Sequence, residues 1–194
     1  MQRSLVGSEM CIRDRYTGAM MDRIVTAMAY NYANGKLYAL AVNDEPGTNN
    51  SLYEVSLPLG TLTEIAPIQA FDADGNPVFL NEFCIDKNGN AYGVNKSYSE
   101  PYLQSIDLTT GVCTIIGGTG MKSYAGFFDS NILPCGYMAF DNENGTIVHY
   151  DGLNGWGNFK PETGEYIHNR PFGSATIYCC LLYTSPSPRD YAAS

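Results

Sequence analysis

Apolar residues alternate with small or polar ones through residues 28–42, MAYNYANGKLYALAV, and the alternation turns back on itself at Asn34-Gly35. Period-two alternation on both sides of an Asn-Gly pair predicts a β-hairpin with a type I′ bend, which needs positive φ at both central residues. The pattern returns at 83–94, FCIDKNGNAYGV, and at 138–150, MAFDNENGTIVHY, with Asn88-Gly89 and Asn144-Gly145 at the bends. Asn31, Asp86 and Asp141 share the column just before each bend, where a short polar side chain bonds nearby backbone N–H groups.

A second hairpin follows each of the first, in 52–68, 102–117 and 156–169, with Gly60, Gly111 and Gly164 at its bend. The Asn-Gly glycines recur at intervals of 54 and 56 residues and the second set at 51 and 53, so two independent markers give one period. Four short strands in a unit near that length predict the blades of a β-propeller. The expected fold is therefore all-β: a partial propeller of about three four-stranded antiparallel blades, at 24–68, 80–117 and 136–169, with the start of a fourth at 171–179. In blade one the strands are expected to begin near Ile24 and to cover 36–42, 52–57 and 61–66, separated by the turn-rich loop 43–50.

The apolar columns match in kind between blades: Leu52 with Leu103, Val55 with Ile106, Leu57 with Leu108, Ile65 with Ile116. Blade three fills two of them with Trp156 and Phe159, which makes Trp156 a core anchor in preference to a sugar-stacking platform. KPETGEYIHN replaces the regular ending of blade three, so its fourth strand is the least supported.

The two ends of the chain change the composition. CLLYTSPSPRD at 180–190 and LVGSEMCIRD at 5–14 are translations of the two strands of one transposase adaptor, so 1–15 and 180–194 are expected to be adaptor-derived artefact flanking 16–179. Natural targeting signals would be lost with the termini. Residues 16–179 carry 7 basic and 17 acidic side chains, a balance of −10. Such a chain repels phosphate backbones, so no nucleic-acid partner is expected, and no apolar run suggests membrane insertion. Cys84 and Cys113 fall in core columns, either as small buried hydrophobes or as a disulfide, and no spacing suggests zinc.

Candidate chemistry is sparse. DADGN at 72–76 invites a calcium reading, but its glycine is misplaced for an EF-hand loop and an Asp-Gly hairpin turn explains it. The link 118–136 carries Tyr124, Phe127 and Phe128 in a glycine-rich setting. Tyr98, Tyr124 and Phe128 are the candidate ligand-contacting residues. His149 and His168 have no nucleophile motif around them and read as ordinary strand residues. No catalytic, metal or cofactor-binding residue is assigned, and no cofactor is expected. The Asp-box of sialidase-like blades, the WD dipeptide and the kelch glycines are missing.

MAFDNENG, KLYAL and LQSIDLTTGVCTIIG resemble the repeats of bacterial secreted or cell-surface β-propeller proteins with NHL-like blades. The resemblance spans about all of 16–179. It implies a non-catalytic binding or scaffolding module of a larger extracellular or surface-attached protein, recognising a glycan or a protein and packing against the remaining blades of the full-length chain. A fragment of a propeller hydrolase or lyase, with its catalytic residues in missing blades, is the alternative, because fold alone does not assign function. An open arc is also expected to expose blade faces and to self-associate.

Overall fold

The computed structural model describes residues 23–43, 50–57, 59–95, 101–121, 136–151 and 155–170. Twelve strands and no helix occur among them: β1 Arg23–Asn31, β2 Lys36–Asn43, β3 Ser51–Val55, β4 Leu62–Pro67, β5 Leu80–Ile85, β6 Ala91–Asn95, β7 Tyr102–Ile106, β8 Cys113–Gly118, β9 Gly136–Asp141, β10 Thr146–Asp151, β11 Gly155–Phe159 and β12 Tyr166–Arg170. They form three four-stranded sheets, β1 to β4, β5 to β8 and β9 to β12, each in sequential antiparallel order. The first strands of neighbouring sheets, β1 with β5 and β5 with β9, lie side by side. This is a partial β-propeller, with the first strand of each blade innermost. The fourth strand of blade three is present as β12, paired with β11.

The bends depart from the type I′ expectation. Asn31 pairs with Lys36 and Asp141 with Thr146, so these bends hold four residues, and the N–H of Gly35 or Gly145 donates to the carbonyl four residues back at 2.8 Å. In blade two the bend holds three residues, 87–89. The cause lies in the preceding column. Oδ1 of Asn31, Asp86 and Asp141 accepts backbone N–H groups from Ala33, Asn88 and Glu143 at 2.8 to 3.0 Å, holding the start of each bend in a right-handed turn. The left-handed conformation then falls on the closing glycine, with φ of +73°, +93° and +68°. Residues 72–76 form the same three-residue bend as 86–90, with Asp72 Oδ1 accepting from Asp74 and Asn76 as Asp86 Oδ1 does from Asn88 and Asn90. DADGN is thus a hairpin turn.

Packing follows the strand period. One face of blade one (Ala29, Tyr38, Leu40, Leu52, Ile65) meets the opposite face of blade two (Phe83, Ile85, Ala91, Ile106, Cys113), with Ile68, Ala70 and Val78 of the link filling the seam. The far face of blade two (Cys84, Val94, Leu103, Ile116) meets Met138, Phe140, Ile147, Phe159 and Tyr166 of blade three in the same way. Leu40, Leu52, Leu103 and Phe159 are fully buried, each contributing about 1.5–3 kcal/mol by removal from water. Cys84 and Cys113 are free thiols that pack as small hydrophobes in different seams.

Trp156 is not a core anchor. Its indole is 40% exposed and lies 5.1 Å from the Tyr150 ring on the far face of blade three. Leu52 and Leu103, in the same column, are buried because the next blade covers them, and no described residue covers Trp156 in this way.

Each link also latches the blade that follows. Gln69 N–H donates to Gly111 O and Cys113 N–H to Gln69 O, while Tyr166 N–H donates to Thr119 O. Gly111 and Gly164 sit where these chains touch. A Cβ on Gly111 would lie 2.3 Å from Pro67 O, and one on Gly164 would lie 2.7 Å from Gly117 O.

Candidate functional site

At the hairpin-bend end of the blades an open groove of about 880 Å³ crosses all three units. It is lined by Asn34 of the β1–β2 bend, Tyr38 of β2, and Asn88 and Asn90 at the β5–β6 bend. The floor is formed by Ile106, Leu108, Thr114 and Ile116 from β7, β8 and their bend, and Pro161 contributes from blade three. The bends are held together directly. A Cβ on Gly89 would meet Ala33 Cβ at 3.3 Å, and Lys87 N–H donates to Asn142 Oδ1 at 2.9 Å. The groove's lining therefore comes mainly from the bends of two successive repeats.

The groove's polar groups are mostly neutral amides and hydroxyls. Asn34 Nδ2 donates to Tyr38 Oη at 3.0 Å, and Ser105 Oγ donates to Thr114 O at 3.4 Å. Asp107 is the charged group in the lining. The Thr109 hydroxyl donates to it at 2.6 Å and the Thr109 N–H at 2.8 Å, and these bonds hold its carboxyl down at about 2. At neutral pH it is an anion that presents acceptor oxygens. Tyr92, stacked on Phe140 at 5.8 Å, has its phenol pushed upward by burial and by nearby Asp86. The combination of apolar floor and neutral hydrogen-bonding walls suits a ligand that is itself polar at its edges and apolar on its faces.

A second polar cluster is closed to solvent. Glu82 on β5 and His149 on β10 are fully buried, with Oε2 and Nε2 2.9 Å apart across the seam between blades two and three. Tyr166 Oη donates to Gly155 O at 3.1 Å and lies 3.3 Å from His149 Nδ1, so it accepts there and Nδ1 carries a proton. His149 is thus not an ordinary strand residue but the centre of an inter-blade hydrogen-bond chain. Reading single motifs missed it. The usable signal was two polar exceptions in apolar columns, Glu82 beside Ala27 and Tyr137, and His149 beside Ala39 and Gly93.

Tyr98, Tyr124 and Phe128, the residues expected to contact ligand, lie outside the described residues, and so does the side chain of His168. The groove residues were not singled out in the sequence as a site. Among the described residues no group of three or more His, Cys, Asp and Glu side chains gathers in a metal-binding arrangement.

No protein-family model matches the chain, and no curated protein matches it. Among solved structures it is similar to a protein of unknown function from Bacteroides thetaiotaomicron, at 16% identity and a TM-score of 0.51, over 73% of this chain and 32% of that one. It is similar also to the major allergen Mala s 1 of Malassezia sympodialis, at 12% identity and a TM-score of 0.50, over 79% of this chain and 51% of the allergen. A calcium-binding protein, regucalcin, from Agrobacterium tumefaciens matches at 16% identity with a TM-score of 0.46, over 76% of this chain and 45% of its own. The chain spans about a third to a half of the length of these structures. For the first two, at such identities, the likeness is one of fold alone.

Proposed function

We propose that the chain is a non-catalytic binding part of a larger bacterial protein, outside the cell or attached to its surface, and that the hairpin-end groove takes a neutral glycan. The observation that carries this reading is the groove's lining, in which amide and hydroxyl groups of Asn34, Asn88 and Thr114 flank the apolar floor of Ile106 and Ile116. Sugars offer hydroxyls at their edges and C–H groups on their faces, so such a surface satisfies both. Anionic glycans fit less well, because the groove holds the Asp107 carboxylate and the whole chain carries a net charge of −9. The resemblance of the repeats to surface-protein blades supports the location.

The test is retardation of the protein in native gels containing soluble neutral polysaccharides, followed by titration calorimetry with oligosaccharides of the polymer that retards it. Asn88→Ala combined with Thr114→Ala should weaken binding about ten-fold, the worth of one or two neutral hydrogen bonds. Equal affinity in the variant, or no retardation by any neutral polymer, overturns the reading. Cleavage of the retained polymer would favour a hydrolase instead.

A further inference from the structure

Each blade turns its first hairpin on an exposed asparagine followed by glycine, at Asn34-Gly35, Asn88-Gly89 and Asn144-Gly145. A glycine has no Cβ to shield its backbone nitrogen, so that nitrogen can close on the Cγ of the preceding asparagine as a five-membered ring. The three bends differ in what restrains the closure. Asn34 Nδ2 donates to Tyr38 Oη at 3.0 Å, and its Oδ1 accepts from the Lys36 N–H at 3.1 Å. Asn144 Nδ2 donates to the Asp141 carboxylate at 2.6 Å. Among the described residues the side-chain amide of Asn88 has no hydrogen-bond partner, while its backbone N–H donates to Asp86 Oδ1 at 2.8 Å. The attacking nitrogen is also least restrained in this bend: Gly89 N–H donates to Asp86 O at 3.1 Å, against 2.8 Å for the bonds of Gly35 and Gly145. The contacts that brace the bend, Gly89 against Ala33 and Lys87 N–H to Asn142 Oδ1, hold the residues on either side and take no hydrogen bond from the Asn88 amide. In a fourth pair, Asn154-Gly155, the asparagine lies outside the described residues.

We propose that Asn88 is a self-modifying site, the first of the three bend asparagines to deamidate in the folded chain. Gly89 N gives up its proton to solvent hydroxide and attacks Cγ of Asn88. An N–Cγ bond forms, the Cγ–Nδ2 bond breaks, and the amide nitrogen takes a proton from water and leaves as ammonia. Water then opens the imide on one side or the other, which leaves aspartate or isoaspartate at position 88. Water is the sole co-reactant. The product puts a carboxylate on a lining whose charged group is otherwise Asp107. The consequence for binding rests on the reading of the groove as a glycan site: ageing exchanges a hydrogen-bond donor for a second anion.

The test is incubation of the folded chain in mildly alkaline buffer, sampled over days and read by peptide mapping with mass spectrometry. Deamidation at Asn88 should run at least about three-fold faster than at Asn34, the factor for giving up one neutral hydrogen bond, and about ten-fold or more faster than at Asn144, whose amide is held by a carboxylate. In denaturant the three rates should converge, since glycine follows in each pair. Tyr38→Phe, which removes the acceptor of Asn34 Nδ2, should raise the rate at Asn34 about three-fold and leave that at Asn88 unchanged. A rate at Asn88 no higher than at Asn34 or Asn144 in the folded chain, the same spread of rates in denaturant, or an Asn34 rate that ignores Tyr38→Phe would overturn the proposal. Titration with a neutral glycan reads the consequence separately: the aged chain should bind about ten-fold more weakly than the fresh one, and aged Asn88→Gln no more weakly than fresh Asn88→Gln. Absence of glycan binding in fresh and aged chains alike would sink the glycan reading and leave the mapping result to decide the modification.

Discussion

Glu82 Oε2 lies 2.9 Å from His149 Nε2 across the seam between blades two and three, with both side chains out of reach of solvent. In the other seam the corresponding positions are Ala27 and Gly93, where methyl groups of Leu80 and Ile106 stand over the glycine. At this pair of columns one seam is filled with hydrocarbon and the other with a hydrogen-bonded acid and base.

Removing one partner of such a pair strands the other in the seam. Glu82→Ala and His149→Ala should each lower the unfolding free energy by about 3–5 kcal/mol, whereas Glu82→Met with His149→Leu should recover most of that loss. Urea denaturation of the two single variants and the apolar double variant measures this. Losses in the double variant equal to the sum of the singles would show that the two residues do not act as a pair.

Two glycines at equivalent bends should respond differently to alanine. Gly60 and Gly111 both have positive φ, +68° and +70°, but a Cβ at Gly60 meets nothing within 4 Å and one at Gly111 would strike Pro67 O. Gly60→Ala should cost about 1–2 kcal/mol for the left-handed backbone alone. Gly111→Ala should cost clearly more, because the blade-one exit strand must also move. Equal thermal shifts for the two variants would refute the close approach.

Asp107 should titrate far below an ordinary aspartate, near 2, held down first by the Thr109 hydroxyl. A carboxyl whose folded value lies below its unfolded value of about 3.9 stabilises the fold above the unfolded value and loses that contribution as pH falls through the folded one. Its share of stability is therefore intact at neutral pH and fades between about pH 4 and 2. Thr109→Ala should move the carbon-13 NMR midpoint of Asp107 upward; an unmoved midpoint would assign the shift elsewhere.

The thiols at Cys84 and Cys113 should resist alkylation in the folded chain. Burial pushes both upward, Cys113 to about 12 and Cys84 further, so the reactive thiolate is scarce at pH 8. Peptide mapping after iodoacetamide should find these two sites modified only when denaturant is present. Modification of Cys84 under native conditions would mean that the seam opens readily.

The sheets were legible because every blade is built from local hairpins, and alternation around a glycine bend reports itself within about fifteen residues. The bend type was misread because the deciding group, the side chain of Asn31, Asp86 or Asp141, lies outside the Asn-Gly pair. For Trp156 the column was right and the burial was wrong, since a column is interior only when the next blade covers it. Glu82 and His149 sit far apart along the chain and meet only after two blades dock, so no local pattern joins them. The groove was hidden for the same reason: its lining is gathered from bends of two successive blades and from Pro161 of the third, none of which is a motif alone.

The hydrogen bonds that join Gln69 with Gly111 and Cys113, and Tyr166 with Thr119, tie the segment leaving one blade to the outer hairpin of the next. A cut made at the visible gap between sheets would tear out that stitching. The portable unit for recombining or transplanting this architecture therefore overlaps its neighbour, carrying the departing segment of its predecessor along with its own four strands.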